Sequence, residues 1–457
     1  MKIDELLKKV KRIHFIGIGG SGMCPLAEIL HKEGYILSGS DNNETDTLAR
    51  IRSLGITVYM GQKPENIAGA EMIVYTAAIM ADNPELIAAK NSGIPTFERS
   101  KLFGAITRLY KKCVGICGTH GKTTTTAMTV HTLLTAGADP SAVIGGKLPL
   151  IGANGKVGTD DTIICEACEF KDTFLDLSPS CAIILNVDAD HLEYFKTMDN
   201  LIASFTKFAK MSETVIYNGD DANTLKALEN VKDRNLISFG FGENCNYRVV
   251  NLGMHNGAYP EFDIQKNGEF VAHFSLNVPG KHNALNAAAA LAACEYCGLT
   301  ADECIAGINS FGGAGRRFET LYNKDGIRII DDYAHHPEEL NVTIDAAMNM
   351  GFKRVWAVFQ PFTYTRTAML FDDFVRVLSI PDKCVMSEIM GSREKNTLGI
   401  YTSQLAEKID GSVWFPTFEE ITDYLYENVK TGDLVLTMGC GDIYKVAKML
   451  IAKYENK

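Results

Sequence analysis

A buried strand that runs directly into a glycine-rich loop, GICGTHGKTTTT at residues 115–126, constrains the fold of this chain most strongly. Backbone N–H groups of such a loop surround phosphate groups, while the lysine neutralises their charge and the threonine hydroxyl binds Mg²⁺. The strict pattern has a further glycine where this chain has Ile116, and Gly118 lies three residues before Gly121, so the loop is a variant. The alternative is a chance sequence at the start of a helix. The predicted ATP-binding residues of the loop are Gly118, Thr119, His120, Gly121, Lys122, Thr123 and Thr124.

Polar residues at the ends of two further strand candidates predict a metal site. Glu166 closes the strand TIIC, and Asp190 and His191 follow the strand AIILNV. An open α/β sheet binds its ligands at the carboxyl ends of its strands. The alternative is a pair of solvated turns, but two such sites beside a phosphate loop favour a function. The position of the strand ends leaves Asp190 and His191 both open as Mg²⁺ ligands beside Thr123 and Glu166.

A second glycine loop, G-I-G-G-S-G at residues 17–22, follows the first strand candidate and precedes a helical pattern. Its glycines allow the backbone to approach a diphosphate at a helix N-terminus. Asp41 ends the next strand candidate, about 20 residues on, where an acidic residue meets a ribose hydroxyl in dinucleotide-binding folds. The loop therefore predicts a nucleotide diphosphate site, although it does not distinguish NAD from a nucleotide sugar. A tight strand–helix turn without a ligand is the alternative.

Apolar runs bounded by glycine alternate with helical patterns along the chain, which predicts an α/β fold built on parallel sheets. Residues 240–280 alternate more loosely and resemble an antiparallel ribbon, and an alanine-rich helix follows from about His282 to Cys297. We predict three domains: a Rossmann-like domain at 1–107, a central P-loop ATPase-like domain with a mostly parallel sheet at 108–315, and a Rossmann-like domain at 316–457.

Charge and composition narrow the class of protein further. A net charge of −11 over 457 residues argues against binding to nucleic acid or to an anionic membrane. No apolar run approaches the roughly 20 residues that a spanning helix requires, and the first residues do not resemble a secretory signal. The twelve cysteines include two C-x-x-C pairs in apolar stretches, which we interpret as buried free thiols. The expected location is the cytoplasm.

The motifs resemble, in chain order and over almost the whole length, those of the Mur ligase family. The blocks that carry the resemblance are GIGGSGM, GTHGKTTT, EACE, NVDADH, HNALNAAAA, GRRFE, DDYAHHP and QPFTYTRT. The first block and DDYAHHPEE point to the L-alanine-adding branch. The resemblance implies an ATP- and Mg²⁺-dependent ligase of peptidoglycan precursor synthesis. Its reaction would join L-alanine to UDP-N-acetylmuramate through an acyl phosphate.

The resemblance implies that Thr123, Glu166 and His191 are the Mg²⁺ ligands and that Lys122, Glu166 and His191 are the catalytic residues. It also assigns binding roles to residues outside the ATP loop. The UDP-sugar side would involve Gly19, Gly20, Ser21, Gly22, Asp41, Thr76, Ala77 and Arg99. The adenine side would involve His282, Asn283 and Asn286, which also suit the capping of a helix. Arg317 and Asp332 would act on the nucleotide as the third domain closes. The amino acid would bind to Tyr333, His335 and Arg366, with Arg366 gripping the carboxylate.

Several features leave alternatives open. Phe362 stands where the family often has His, Thr363 stands where some members carry Arg, and EACEF replaces the commoner EADES. The acceptor therefore has an alternative: a related ligase would join a peptide or another amino acid to the same sugar. An NAD-dependent oxidoreductase and an ATP-hydrolysing switch or binding module are the rivals from other classes. We expect only small-molecule partners and a monomer or homodimer. The alternative interpretation of the block His335, His336 and Pro337 is an ordinary helix start, because proline suits the first turn of a helix.

Overall fold

The computed structural model describes residues 3–392 and 394–456. These residues form two compact units. The first unit runs up to Leu252 and includes Phe262–Phe274 and Ala284–Phe311. The second unit comprises Gly253–Glu261, Ser275–Asn283 and the residues from Gly312 onwards. Three β-sheets, each in its own stretch of the chain, give the three-domain α/β architecture that the sequence predicts.

The N-terminal sheet has five parallel strands in the order β3-β2-β1-β4-β5. Its strands are β1 (Arg12–Ile16), β2 (Ile36–Asp41), β3 (Thr57–Met60), β4 (Met72–Tyr75) and β5 (Thr96–Glu98). Its helices are α1 (Ile3–Leu7), α2 (Cys24–Lys32), α3 (Asp46–Ser53), α4 (Pro84–Asn91) and α5 (Arg99–Thr107), with a 3₁₀ turn at Pro64–Ile67. Because the strand order reverses beside β1, the glycine loop after β1 lies at a topological switch point, as in dinucleotide-binding folds.

The central sheet has ten strands in the order β15-β14-β13-β12-β11-β10-β6-β9-β7-β8. Its strands are β6 (Lys112–Cys117), β7 (Ser141–Leu148), β8 (Ala153–Lys156), β9 (Thr162–Glu166), β10 (Cys181–Ile184), β11 (Thr214–Asn218), β12 (Asn235–Gly240), β13 (Tyr247–His255), β14 (Tyr259–Lys266) and β15 (Glu269–Ser275). Its helices are α6 (Lys122–Thr135), α7 (Leu192–Phe195), α8 (Met198–Lys210), α9 (Ala222–Leu228), α10 (His282–Cys297) and α11 (Ala301–Ser310), with 3₁₀ turns at Pro149–Ile151 and Phe170–Asp176.

The centre of this sheet is parallel, as predicted: β6 pairs in parallel with both β9 and β10. The strand predicted as AIILNV is shorter than expected, since β10 ends at Ile184. The residues after it leave the ladder because Asn186 bonds the glycine loop after β6 and Val187 N–H donates to Asp221. Asp190 and His191 therefore lie in a loop several residues beyond the strand, and His191 is the N-cap residue of α7.

The C-terminal sheet has six strands in the order β16-β17-β21-β18-β19-β20. Its strands are β16 (Glu319–Lys324), β17 (Ile327–Asp332), β18 (Arg354–Phe359), β19 (Lys383–Ser387), β20 (Val413–Phe415) and β21 (Asp433–Met438). Its helices are α12 (Pro337–Met348), α13 (Tyr364–Met369), α14 (Phe371–Leu378), α15 (Thr402–Ala406), α16 (Phe418–Asn428) and α17 (Tyr444–Glu455). The edge strand β16 pairs with β17 in an antiparallel sense, and the other described pairings of this sheet are parallel. One apolar cluster lies under α12 and α14 and another under α16 and α17, which makes this a doubly wound sheet.

The cysteines agree with the prediction of free thiols. None of the twelve forms a disulfide, and nine of them are buried, with Cys168, Cys297 and Cys440 partly exposed. A hydrogen bond with the Cys113 thiol, and then burial, raise the pKa of the Cys165 thiol, whereas burial is the main cause of the raised pKa of Cys168. Within the described ranges, no helix is both long enough and apolar enough to cross a membrane.

Candidate functional site

The predicted phosphate loop connects β6 to the 14-residue helix α6. Gly118 and Gly121 have φ angles of +140° and +84°, which side chains rarely adopt. A Cβ on Gly118 would lie 2.9 Å from Leu185 Cβ and 3.1 Å from the backbone nitrogen of Asn186. The backbone therefore needs glycine here to pass close to Leu185 and Asn186, just after β10, before it enters α6. This is the arrangement that binds a phosphate chain.

Lys122, the first residue of α6, is held over this loop by three acceptors. Its Nζ donates to the carbonyl oxygens of Gly118 at 2.5 Å and Thr119 at 3.0 Å, and to Glu169 Oε1 at 3.0 Å. The exposed fractions of the Lys122 and Glu169 side chains are 15% and 2%. Burial alone would lower the pKa of Lys122, but attraction to Glu169, and to Cys168 and Glu166, raises it above its ordinary value. The ammonium is thus permanently charged.

Two of the three predicted Mg²⁺ ligands come together at this loop. Thr123 Oγ1 donates to Glu166 Oε2 at 2.9 Å, and the Gly145 N–H donates to the same oxygen at 2.8 Å. A Cβ on Gly145 would overlap Glu166 and lie 2.7 Å from Thr123 Oγ1. Hydroxyl and carboxylate oxygens are the ligands that Mg²⁺ takes. Glu169 Oε2 is also buried and has no hydrogen-bond partner in the described chain. These oxygen donors fit a hydrated Mg²⁺ ion.

The third predicted ligand, His191, lies in the loop before α7. It has a φ of +56°, and its N–H donates to Asp190 Oδ1 at 2.8 Å. Its ring packs against Phe170, with 4.7 Å between ring centroids. Within residues 3–392 and 394–456, no group of three or more His, Cys, Asp or Glu side chains is arranged to hold a metal ion. His191 therefore remains a predicted ligand, and the paired oxygens of Thr123 and Glu166 form the centre of the candidate site.

The middle of the phosphate loop is fastened to the segment that follows β10. Asn186 Oδ1 accepts the His120 N–H at 2.8 Å, and Asn186 Nδ2 donates to the His120 carbonyl at 3.1 Å. Thr119 Oγ1 accepts the Asp188 N–H at 2.8 Å. These bonds satisfy the loop's own polar groups and fix its shape. Asn186 belongs to the NVDADH block, but its role as a loop anchor was not predicted.

Of the predicted adenine-side residues, Asn286 lies against the phosphate loop. A Cβ on Gly121 would lie 2.7 Å from Asn286 Oδ1. His282 begins α10, as predicted, and Asn283 Nδ2 donates to the Pro279 carbonyl at 2.7 Å. Asn283 thus has the local structural role that its place at a helix start suggests. Its role, and that of His282, in binding adenine stays a prediction.

The N-terminal glycine loop gathers several of the predicted UDP-sugar residues. The Gly19 N–H donates to Asp41 Oδ2 at 2.9 Å, while Asp41 Oδ1 accepts the N–H groups of the following turn. A Cβ on Gly22 would lie 2.9 Å from a guanidinium nitrogen of Arg99, and one on Gly17 would lie 2.7 Å from Thr76. The loop residues after β1 therefore meet the residues at the ends of β2 and β4 and at the start of α5. Gly20, Ser21 and Ala77 belong to the same loops.

In the C-terminal sheet, Asp332 and Tyr333 stand at the end of β17. Asp332 accepts the N–H groups of Phe318 and Ala334, each at 2.7 Å. Burial raises the pKa of Asp332 to about 6, against the opposing charge of Arg317. The Arg317 guanidinium lies 5.2 Å from the Tyr333 ring centroid. The predicted residues Arg317, Asp332 and Tyr333 are therefore neighbours.

His335 lies next to them with a defined orientation. Its Nδ1 is 3.1 Å from the Tyr333 carbonyl oxygen, so Nδ1 carries the proton and Nε2 keeps its lone pair. Burial, with Arg366 and Arg317, lowers the pKa of His335, although Glu339 opposes the shift. His336 caps α12 through the Glu338 N–H at 3.4 Å, and Pro337 begins that helix. The block thus provides both a helix start and a neutral imidazole.

Arg366 and Phe362 approach the same imidazole from the segment after β18. Phe362 and His335 have ring centroids 6.3 Å apart, and one Arg366 nitrogen lies 3.5 Å from the Phe362 carbonyl oxygen. An arginine, a neutral histidine and a tyrosine in the segments after β17 and β18, the two strands that flank β21, can bind a small zwitterion.

Two charged residues near these sites were not predicted. Glu169 ends the EACE block, three residues after Glu166, so its position in the motif was a usable signal. Arg316 in GRRFE donates to Asp331 Oδ2 at 2.8 Å and to the carbonyls of Gly439 and Gly441 at 2.6 and 3.1 Å. It holds the loop after β21 beside Tyr333. Sequence alone does not separate its structural role from that of Arg317.

Comparisons with known proteins agree with this geometry. Three family models match in chain order: the Mur ligase family catalytic domain at residues 12–111, the Mur ligase middle domain at 116–294, and the Mur ligase glutamate ligase domain at 316–441. A UDP-N-acetylmuramate–L-alanine ligase of Acetivibrio thermocellus is 41% identical over 451 residues, covering 97% of this chain and 96% of that protein. The enzyme of the same name from Clostridium acetobutylicum is also 41% identical, covering 97% and 98%.

Solved structures share the whole fold. The crystal structure of a UDP-N-acetylmuramate–alanine ligase from Thermotoga maritima matches with a TM-score of 0.85 and 26% identity, covering 97% of this chain and 99% of that one. A murein peptide ligase from Psychrobacter arcticus matches with a TM-score of 0.76 at 21% identity and shows the fold alone. With all three family models matched and relatives at 41% identity over nearly the full length, this chain belongs to the Mur ligase family.

Proposed function

We propose that this ATP-dependent ligase joins L-alanine to the lactyl carboxylate of UDP-N-acetylmuramate, yielding UDP-N-acetylmuramoyl-L-alanine, ADP and phosphate. The observation that carries the proposal is the constrained glycine loop that leads into Lys122 and Thr123, with Thr123 hydrogen-bonded to Glu166. Relatives that share 41% of their residues with this chain carry the name of this activity. The product would enter peptidoglycan precursor synthesis, and a cytoplasmic location suits substrates of this kind.

The proposed reaction consists of two successive displacements. A carboxylate oxygen attacks the γ-phosphorus of ATP, the bond to the β,γ-bridging oxygen breaks, and ADP leaves. The ammonium group of L-alanine releases one proton to solvent, and the neutral amine then attacks the carbonyl carbon of the acyl phosphate. The nitrogen releases a second proton as the amide forms. The tetrahedral intermediate collapses to the amide and expels inorganic phosphate, which keeps one oxygen from the original carboxylate.

Positioning and electrostatics are the contributions of the phosphate loop. The Lys122 ammonium would exchange an acceptor in the protein for a phosphate oxygen and so stabilise charge that develops in phosphoryl transfer. The N–H groups at the start of α6 would bind the phosphate chain. Thr123 and Glu166, with His191, would hold Mg²⁺, which supplies charge neutralisation of phosphate oxygens when bound. Asn286 would contribute to the adenine side, with His282 and Asn283.

The N-terminal loop is proposed as the UDP-sugar site. The N–H groups between Gly19 and Gly22 would approach the diphosphate, and Arg99 at the start of α5 would add a positive charge. Asp41 would combine two roles, since its oxygens hold the loop through Gly19 and can also accept a hydroxyl. Thr76 and Ala77 follow β4 and would form part of the same site.

The segment around His335 is proposed as the amino-acid site. Arg366 would bind the carboxylate of L-alanine, and the lone pair on His335 Nε2 would accept a hydrogen bond from its amine. Because burial lowers the pKa of His335, the ring is neutral at physiological pH and does not repel the ammonium form. Tyr333 would close one side of this site. Arg317 and Asp332 are proposed to act on the nucleotide.

The test is phosphate release from ATP and Mg²⁺ with each reactant omitted in turn. Release that needs both UDP-N-acetylmuramate and L-alanine supports the proposal, with glycine and L-serine as competing acceptors. Release that prefers a tripeptide to L-alanine favours the peptide-joining alternative instead. Release that ignores the UDP-sugar contradicts the proposal and leaves an ATPase. Sedimentation of the same sample distinguishes a monomer from a homodimer.

A further inference from the structure

The helix that carries Arg366 is short and depends on a carboxylate from another loop. α13 spans only Tyr364–Met369, and its N-cap residue, Thr363, does not use its hydroxyl to cap the helix. A helix this short leaves most of its backbone groups without partners inside the helix. The direction in which Arg366 projects is therefore set by whatever fixes the first turn.

Glu394, in the loop after β19, contacts that first turn with both carboxylate oxygens. Glu394 Oε1 accepts the Thr363 hydroxyl at 2.8 Å, and Glu394 Oε2 accepts the Thr365 N–H at 2.8 Å. The Glu394 N–H itself donates to the Gly391 carbonyl at 2.9 Å, which fixes its own loop. One carboxylate thus satisfies an N-terminal N–H of α13 and places a negative charge at the positive end of the helix.

Further contacts join the two loops. Phe362 forms a parallel bridge with Met390, and the Met390 N–H donates to the Pro361 carbonyl at 2.9 Å. Within α13 itself, the Thr367 hydroxyl and N–H both donate to the Thr363 carbonyl, at 2.7 and 3.0 Å. The segment before α13 is therefore held on both sides, with Glu394 as the charged link between the two loops.

We propose that Glu394 is a positioning residue for the amino-acid site: it caps α13 from a neighbouring loop and thereby aims Arg366 at the carboxylate of the incoming amino acid. This inference rests on the amino-acid role proposed above for Arg366. It also assigns a role to Thr363, because the Thr363 hydroxyl donates a hydrogen bond to Glu394. Burial alone would raise the pKa of Glu394, but hydrogen bonds from the first turn of α13 lower it, so the cap keeps its charge at physiological pH.

The experiment compares Glu394→Gln with wild-type enzyme in the phosphate-release assay, varying each substrate separately. Loss of the charge and of one good acceptor should raise the KM for L-alanine about tenfold, while the KM values for ATP and the UDP-sugar change less than about twofold. The matched control is Asp372→Asn, which removes an equal charge from the exposed first turn of α14. It should leave all three KM values unchanged.

Thr363→Val removes only the hydroxyl half of the interaction and is a second variant that preserves the charge. It should raise the KM for L-alanine about threefold, and in combination with Glu394→Gln the two effects should be less than additive. An unchanged KM for L-alanine in both single variants, or a fall in kcat alone, overturns the proposal. If wild-type enzyme itself shows no L-alanine dependence, the proposed function fails first, and this inference fails with it.

Discussion

Replacing Lys122 with alanine should separate the two consequences of its position, one for stability and one for catalysis. Lys122 is the cation paired with Glu169, whose side chain is only 2% exposed. The substitution leaves that carboxylate buried without its partner. Breaking a buried pair in this way costs about 3–5 kcal/mol, and the partial exposure of Lys122 favours the lower figure.

The expected change in melting temperature follows from this figure. A loss of about 3 kcal/mol, at about 2–4 °C for each kcal/mol in a domain of this size, lowers the first unfolding transition by about 6–12 °C. The activity should fall by about 10²–10³-fold, which is the usual effect of removing one charge-stabilising donor. Differential scanning fluorimetry and the phosphate-release assay measure the two quantities on one sample.

The double variant Lys122→Ala/Glu169→Gln identifies the cause of each loss. Removing the orphaned charge should restore most of the melting temperature without restoring turnover. Normal turnover in Lys122→Ala would refute the phosphate-site assignment. An unchanged melting temperature in the same variant would refute the energetic importance of the pair with Glu169.

Three further predictions concern the other sites. Gly118→Ala should lower both stability and activity, because a Cβ at φ +140° would lie 2.9 Å from Leu185 Cβ; calorimetry and turnover measure the effect, and wild-type values would contradict it. The pKa of Asp332 is raised to about 6 in the folded chain, so this group favours folding at low pH and the benefit disappears as the pH rises through 6. From pH 8 to pH 5, the free energy of unfolding measured in urea should therefore rise by about 1.4 kcal/mol for wild type relative to Asp332→Asn. If the difference in unfolding free energy between the two proteins does not change with pH, the raised pKa is refuted. Arg366→Lys should raise the KM for L-alanine at least about tenfold, because a single ammonium cannot form the bidentate contact; an unchanged KM would exclude its role in gripping the carboxylate.

The parts of the molecule that could be predicted from sequence are those in which a short motif fixes both backbone and chemistry. The glycine loop before Lys122 is one case, because its positive φ angles and the helix that follows are required by the same residues. The alanine-rich helix is another, and it spans His282–Cys297 as expected. In both, local sequence determines local structure.

The contacts that depend on distant segments could not be predicted. Asn186 anchors the phosphate loop, and Glu394 caps the helix of Arg366, yet neither residue belongs to a pattern that indicates its partner. The early end of β10 has the same origin, since Asn186 leaves the strand to bond His120. Such interactions arise from which strands lie side by side, and this order is a property of the whole sheet.

The central claim is tested most directly by following an oxygen atom. UDP-N-acetylmuramate labelled with ¹⁸O in its carboxylate is incubated with ATP, Mg²⁺ and L-alanine, and both products are analysed by mass spectrometry. The account predicts one labelled oxygen in the released phosphate for every UDP-N-acetylmuramoyl-L-alanine formed, since the carboxylate oxygen stays on phosphorus when the amide forms. Phosphate released without label, or without formation of the amide, would contradict it.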